Sequence, residues 1–168
     1  LLGASLEPAD LEKGLADHLK CFTLITARAP ITYDACRKAG LKYVIYAPDS
    51  AFLLPCGNAP AVPGLVPENA VGINLSPLIM QSESAGGMAL KNYQALVRRI
   101  LDTTDLQIAL VPHVVWEGGD DRQPLTALYD QFRDTGRVFL VPDANCKDLK
   151  ALISRLRFFI GARTHSTI

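Results

Sequence analysis

At 168 residues the chain is long enough for one domain or two small ones, and 49% hydrophobic residues with 17 basic against 17 acidic side chains fit a soluble globular protein. That balance excludes a nucleic-acid binder driven by bulk positive charge, and no stretch approaches the roughly 18–20 consecutive apolar residues that span a membrane. The four cysteines, Cys21, Cys36, Cys56 and Cys146, form no C-x-x-C pair and have no histidine at zinc-finger spacing. Neither a disulfide framework nor a metal is therefore expected, and the reducing cytoplasm is the expected compartment. Cys21, Cys36 and Cys146 fall in or beside apolar segments and read as small hydrophobes.

The start, Leu1-Leu2-Gly3-Ala4-Ser5, has neither Met nor a basic leader and reads as the end of a strand from a longer chain. Ser5 reads as a cap for the turn that follows, and Glu7-Pro8-Ala9-Asp10 then opens an amphipathic helix through about Lys20. Cys21–Thr26 is a β-rich run followed by Arg28. Ile31–Ala39 reads as a helix with Thr32 as N-cap and Gly40 as its stop. Tyr43–Tyr46 is a short buried strand ending at Pro48-Asp49. Between Leu54 and Pro67 lie Pro55, Gly57, Pro60, Pro63, Gly64 and Pro67, which suit neither a helix nor a central strand. The expected organisation is a first domain over 1–54, a linker over 55–69 and a second domain over 70–168.

The second block opens with the strand Ala70–Asn74 and the turn Leu75-Ser76-Pro77. Ser82–Gly87, small and polar, suits a loop. Leu90, Tyr93, Leu96, Val97, Ile100 and Leu101 give Ala89–Asp102 one buried helical stripe. Strands Leu106–Val111, Val138–Val141 and Arg157–Ile160 alternate with helices from about Pro124 to Phe132 and from Cys146 to Arg155. Alternation of this kind predicts an α/β fold with parallel sheets, the second block holding most of a Rossmann-like domain.

In such a sheet the carboxyl ends of the strands share one edge, where ligands bind. Asn74, Ser76, His113, Asp143 and the closing Gly161-Ala162-Arg163-Thr164-His165 all follow strands. Arg163 offers a two-pronged contact to a carboxylate or phosphate, and His165 a proton donor or acceptor near neutral pH, with Thr164 and Ser166 beside them. His113 reads equally as a ligand contact or a structural hydrogen-bonding group, and His18 as solvated. Asp49 and Asp143 read as turn or helix caps. Arg28 ends a strand in the first block and reads equally as a surface residue or, if two domains face each other, as a group that points into the cleft. Gly86-Gly87 makes no G-x-G-x-x-G fingerprint, and neither a Walker A sequence nor a G-x-S-x-G elbow occurs.

Several of these pieces together resemble the polysaccharide pyruvyl transferase family: Leu24-Ile25-Thr26-Ala27-Arg28, Pro48-Asp49-Ser50-Ala51-Phe52, Val71-Gly72-Ile73-Asn74-Leu75-Ser76-Pro77, Val111-Pro112-His113 and Phe159-Ile160-Gly161-Ala162-Arg163-Thr164-His165. The resemblance implies two Rossmann-like halves similar to GT-B glycosyltransferases, both incomplete in this chain. It implies transfer of a pyruvyl group from phosphoenolpyruvate, the donor substrate, to sugar hydroxyls of a cell-surface polysaccharide or its lipid-linked precursor. No separate cofactor is implied. Arg163 and His165 are the catalytic pair it points to, with Arg28, Asn74, Ser76, His113 and Thr164 as candidate substrate-binding residues. Partners are the donor and a saccharide acceptor, reached in the cytoplasm or at the inner face of the membrane. A nucleotide-sugar-dependent GT-B glycosyltransferase and a non-catalytic sugar-binding module are the rival readings.

Overall fold

A computed structural model describes residues 3–83 and 86–168. The residues form two units, dividing between Leu54 and Pro55, each with its own parallel sheet and core.

In the first unit, helical turns α1 (Pro8–Asp10) and α2 (Ala16–Leu19) are joined by a π turn over Leu11–Leu15. Pro8 starts the segment, as its fixed φ and missing N–H allow. Gly14 inside the π turn has φ +83°, a conformation that costs glycine least. Strand β1 (Ile25–Ala27) pairs in parallel with β2 (Val44–Tyr46), and helix α3 (Pro30–Lys38) connects them. Ala4 bridges in parallel to Ala27, while Leu1 and Leu2 of the expected strand end lie outside the described residues.

Two local expectations change. The strand begins at Ile25 rather than Cys21, because Cys21 and Phe22 close the turn after α2 through bonds to the His18 and Leu19 carbonyls. Thr32 is not the cap of α3, whose N-cap is Ala29 with Pro30 as the first residue. Instead the buried Thr32 hydroxyl grips both backbone groups of Leu6, each at 2.8 Å, and ties the N-terminal segment to the helix.

Residues 55–69 are held to the second unit. Gly57 N–H donates to the Lys147 carbonyl (2.9 Å), Asn58 N–H to Asp148 Oδ1 (2.8 Å), and Gln107 bonds both Val66 N–H and the Gly64 carbonyl. Ala59, Val62 and Leu65 cover one face of the core. Apart from the 3-10 turn Pro67–Asn69, Pro and Gly keep this stretch out of regular elements, and bonds to side chains and to the Lys147 carbonyl satisfy part of its backbone.

The second sheet contains β3 (Ala70–Ile73), β4 (Gln107–Leu110), β5 (Val138–Leu140) and β6 (Phe158–Ile160), all parallel, in the order β5-β4-β3-β6. Helices α4 (Pro77–Gln81), α5 (Met88–Thr103), α6 (Arg122–Phe132) and α7 (Cys146–Ile153) complete it. Of the expected loop over Ser82–Gly87, residues 84 and 85 lie outside the described residues. Val97 of α5 and Leu125, Leu128 and Phe132 of α6 pack with Val71, Ile73, Ile108 and Leu110. Leu149 and Leu152 of α7 pack with Ala109, Val111 and Val141. The sheet is thus covered by apolar side chains on both faces, as parallel sheets are.

The strand order makes β3 and β6 neighbours although the rest of the unit separates them in sequence. Each strand after β3 adds outward until β6 returns to β3's other side. That reversal is the topological switch point of a doubly wound sheet, outside which ligands bind. Ile73 is level with both Leu110 and Ile160, and Leu110 with Leu140, so the residues that follow the four strands share one edge.

Candidate active site

β3 ends at the switch point with Asn74, Leu75 and Ser76, all fully buried. The strand approaches β6 closely because residue 72 is glycine: a Cβ there would lie 2.4 Å from Leu156 Cδ1 and 2.5 Å from Phe159 Cδ2. Asn74 then bonds in three directions. Its Nδ2 donates to the Val111 carbonyl (3.0 Å) and to Asp121 Oδ2 (2.9 Å), and its Oδ1 accepts from Ala162 N–H (3.2 Å). One side chain therefore joins the ends of β3, β4 and β6. Ser76 is the N-cap of α4, its Oγ accepting from Leu78 N–H at 3.1 Å.

Asp121 stands at the centre of this edge with no exposed surface. It immediately precedes α6. Besides the bond from Asn74, its Oδ2 accepts from the N–H groups of His113 (3.1 Å) and Val114 (3.0 Å). Its Oδ1 accepts from Nε (3.2 Å) and Nη2 (2.8 Å) of Arg163. Arg163 Nη2 also donates to the Gly119 carbonyl (2.8 Å). A buried carboxylate needs such pairing, because unpaired it would meet the full desolvation cost. Sequence reading missed Asp121. Its only signal is Gly118-Gly119-Asp120-Asp121 before a helix, where nothing distinguishes it from Asp120, which pairs locally with Arg122.

The segment after β6 turns sharply. A Cβ on Gly161 would lie 2.5 Å from Ser166 Oγ and 2.6 Å from Thr167 Cγ2, so only glycine lets the turn fold back this tightly. Ser166 is buried, and its N–H and Oγ both donate to the Arg163 carbonyl, at 3.0 and 2.6 Å. That turn leaves Thr164 and His165 exposed, while Arg163 is directed at Asp121.

His113 lies half-buried beside them, and its Nδ1 is buried with no hydrogen-bond partner among the described residues. Burial pushes its imidazole below the ordinary value. Asp121 opposes that shift, and the nearby His165 and Arg163 add to it. The edge therefore carries one cation in a fixed setting, one imidazole biased toward its neutral form and one exposed imidazole. These groups can bind an anion and move a proton.

The family model for polysaccharide pyruvyl transferases matches residues 1–168. The chain belongs to the polysaccharide pyruvyl transferase family. No curated protein and no solved structure matches it. The family is named for the transfer of pyruvyl groups to polysaccharide, and the chain has an α/β fold of parallel sheets in two units.

Arg28, in the first unit, pairs with Asp49 at 2.6 Å, and Asp49 Oδ1 also caps the 3-10 turn Ser50–Leu53 by accepting from Ala51 N–H. Asp143 is exposed, and Asn145 rather than Asp143 caps α7. Cys36 alone of the cysteines is buried, with burial raising its thiol; Cys21, Cys56 and Cys146 are exposed, so they do not pack as small hydrophobes. Among the described residues no three His, Cys, Asp or Glu side chains gather as a metal site, and no helix is long and apolar enough to cross a membrane.

Proposed function

We propose that this chain transfers the pyruvyl group of phosphoenolpyruvate to two hydroxyls of a sugar in a polysaccharide or its lipid-linked precursor, forming a ketal. The observation that supports this most is the fixed cation Arg163 at the β3–β6 switch point, with His113 and His165 close by. A small, highly charged donor needs a cation held in place and groups that exchange protons with its enol carbon.

Arg163 binds the carboxylate or phosphate of the donor. His165, exposed on its turn, protonates the methylene carbon, which becomes the methyl group. A sugar hydroxyl attacks the central carbon, the bond from that carbon to the phosphate oxygen breaks, and phosphate leaves. Attack by the second hydroxyl closes the ketal. One hydroxyl proton replaces that given by His165 and the other leaves with phosphate. His113, biased toward its neutral form, accepts a hydroxyl proton or orients the acceptor. Thr164 is an exposed hydroxyl for substrate. Asn74 and Ser76 act through the backbone they fix, and Arg28 is a further candidate for binding substrate. The reaction runs in the cytoplasm, or at the inner membrane face where the acceptor is lipid-linked.

Phosphate release from phosphoenolpyruvate, measured over a panel of acceptor sugars, tests this. Release should depend on acceptor and fall about 10²–10⁴-fold in His165→Ala, the usual worth of general acid–base help. Arg163→Ala should lower it about 10²–10³-fold, as loss of one preorganised donor does. Release that survives both substitutions removes these roles. Absence of release with every acceptor, together with stabilisation by a nucleotide sugar, replaces the donor.

A further inference from the structure

Arginine is usually credited with a flat two-donor edge that grips an anion. In this chain that edge is taken. Nε and Nη2 of Arg163 both donate to Asp121 Oδ1, and Nη2 donates again to the Gly119 carbonyl. Nη1 makes no hydrogen bond among the described residues. Asp121 has no exposed surface, and its second oxygen is saturated by Asn74 Nδ2 and by the N–H groups of His113 and Val114. The carboxylate cannot turn away without stranding those donors.

We propose that Asp121 is a positioning residue that consumes the two-donor edge of Arg163 and leaves Nη1 alone to meet the anionic donor substrate. The same carboxylate locks the backbone of His113, so one buried charge sets two groups of the site from different strand ends. The proposal rests on the reading of Arg163 as the donor-binding cation. It goes beyond that reading by predicting a single-pronged contact and by giving the cation's geometry to a residue outside the closing segment.

Asp121→Asn keeps the size and an acceptor for the backbone N–H groups but removes the charge that orients Arg163. Its KM for phosphoenolpyruvate should rise about tenfold to a hundredfold, the worth of a hydrogen bond to a charged group, while the acceptor KM stays within threefold. In an Arg163→Ala background the same change should add less than threefold, since its effect passes through Arg163. An unchanged donor KM, or a full additional loss without Arg163, overturns the proposal.

Two further measurements keep it separable from the transferase reading. Calorimetric binding of phosphoenolpyruvate without acceptor gives the same comparison as a ratio of dissociation constants, so a protein that binds the donor yet releases no phosphate loses the transfer reading while Asp121 is still judged. The Arg163 Nε–H signal in 15N NMR of the wild type needs no variant to fold. Slow exchange with water supports the clamp, and exchange as fast as at the exposed Arg99 overturns it.

Discussion

Each unit of the molecule holds an arginine that follows a strand and an aspartate that receives it, and the two pairs differ in kind. In the first, Arg28 Nη1 meets Asp49 Oδ2 at 2.6 Å, with the side chains 31% and 14% exposed. In the second, Arg163 donates through two nitrogens to an aspartate with no exposed side-chain surface, while its own is 16% exposed. Water reaches the first pair and screens it; the second lies where a lost partner leaves a charge unsolvated. A contact such as Arg28–Asp49 can open to admit an anion. Arg163–Asp121 cannot open cheaply, so any ligand that Arg163 meets must be met through what Asp121 leaves exposed. An arginine at a strand end thus says less than the burial of its partner.

The sharpest way to break this contrast is to remove each aspartate. Asp121→Ala should destabilise the protein by about 3–5 kcal/mol, as breaking a buried pair from one side does. It strands the Arg163 guanidinium, Asn74 Nδ2 and the His113 and Val114 N–H groups together. Urea denaturation followed by circular dichroism measures the loss. A cost below about 1 kcal/mol would put the pair in the same class as an exposed ion pair and erase the difference between the units.

A smaller effect should appear with pH, through His113. Burial depresses its pKa from the ordinary 6.5 in the folded protein. Between that depressed value and 6.5 the unfolded chain binds more protons than the folded one, so stability rises with pH across this window. The contribution is present above about 6.5 and lost as pH falls through the window toward the folded pKa. Denaturation at pH 5 to 8 should show a steeper fall on the acid side for wild type than for His113→Gln, which cannot gain a proton. Identical slopes would mean that the half-buried ring is solvated as freely as in the unfolded chain, and that the β3–β6 edge is wetter than its packing indicates.

The sheet of the second unit was readable because its strands are short apolar runs separated by helices with one apolar stripe, and period alone distinguishes those. The polar residues at the strand ends were readable for the same reason: a parallel sheet leaves them only one edge to share. What escaped depends on contacts distant in sequence. Asp121 looks like its neighbour Asp120 until the fold brings Asn74 and Arg163 to it. Thr32 has the residue type of a cap, yet its hydroxyl finds Leu6, 26 residues away, because the N-terminal segment crosses α3 there. Residues 55–69 carry the composition of a linker, but Gln107 and Lys147 supply partners that composition cannot reveal. Gly161 shows the converse. Its place in the G-x-R-x-H segment was visible, but the reason for it, the return of Ser166 and Thr167 across its face, belongs to the folded turn alone.

The least costly change expected is Asp49→Asn. Asparagine keeps an acceptor for Ala51 N–H and is as good a cap as aspartate, so the 3-10 turn Ser50–Leu53 should persist. Only the charge opposite Arg28 is lost. For a part-buried pair that water still reaches, the penalty should be about 0–1 kcal/mol. It should also vanish near 1 M salt, where the screening length falls to about 3 Å. The cost of Asp121→Asn should persist at the same ionic strength, because ions do not enter the buried cluster to replace the lost charge. Equal salt sensitivity in the two variants would show that solvent reaches Asp121 as well, and Arg163 would then be as free to swing toward a ligand as Arg28.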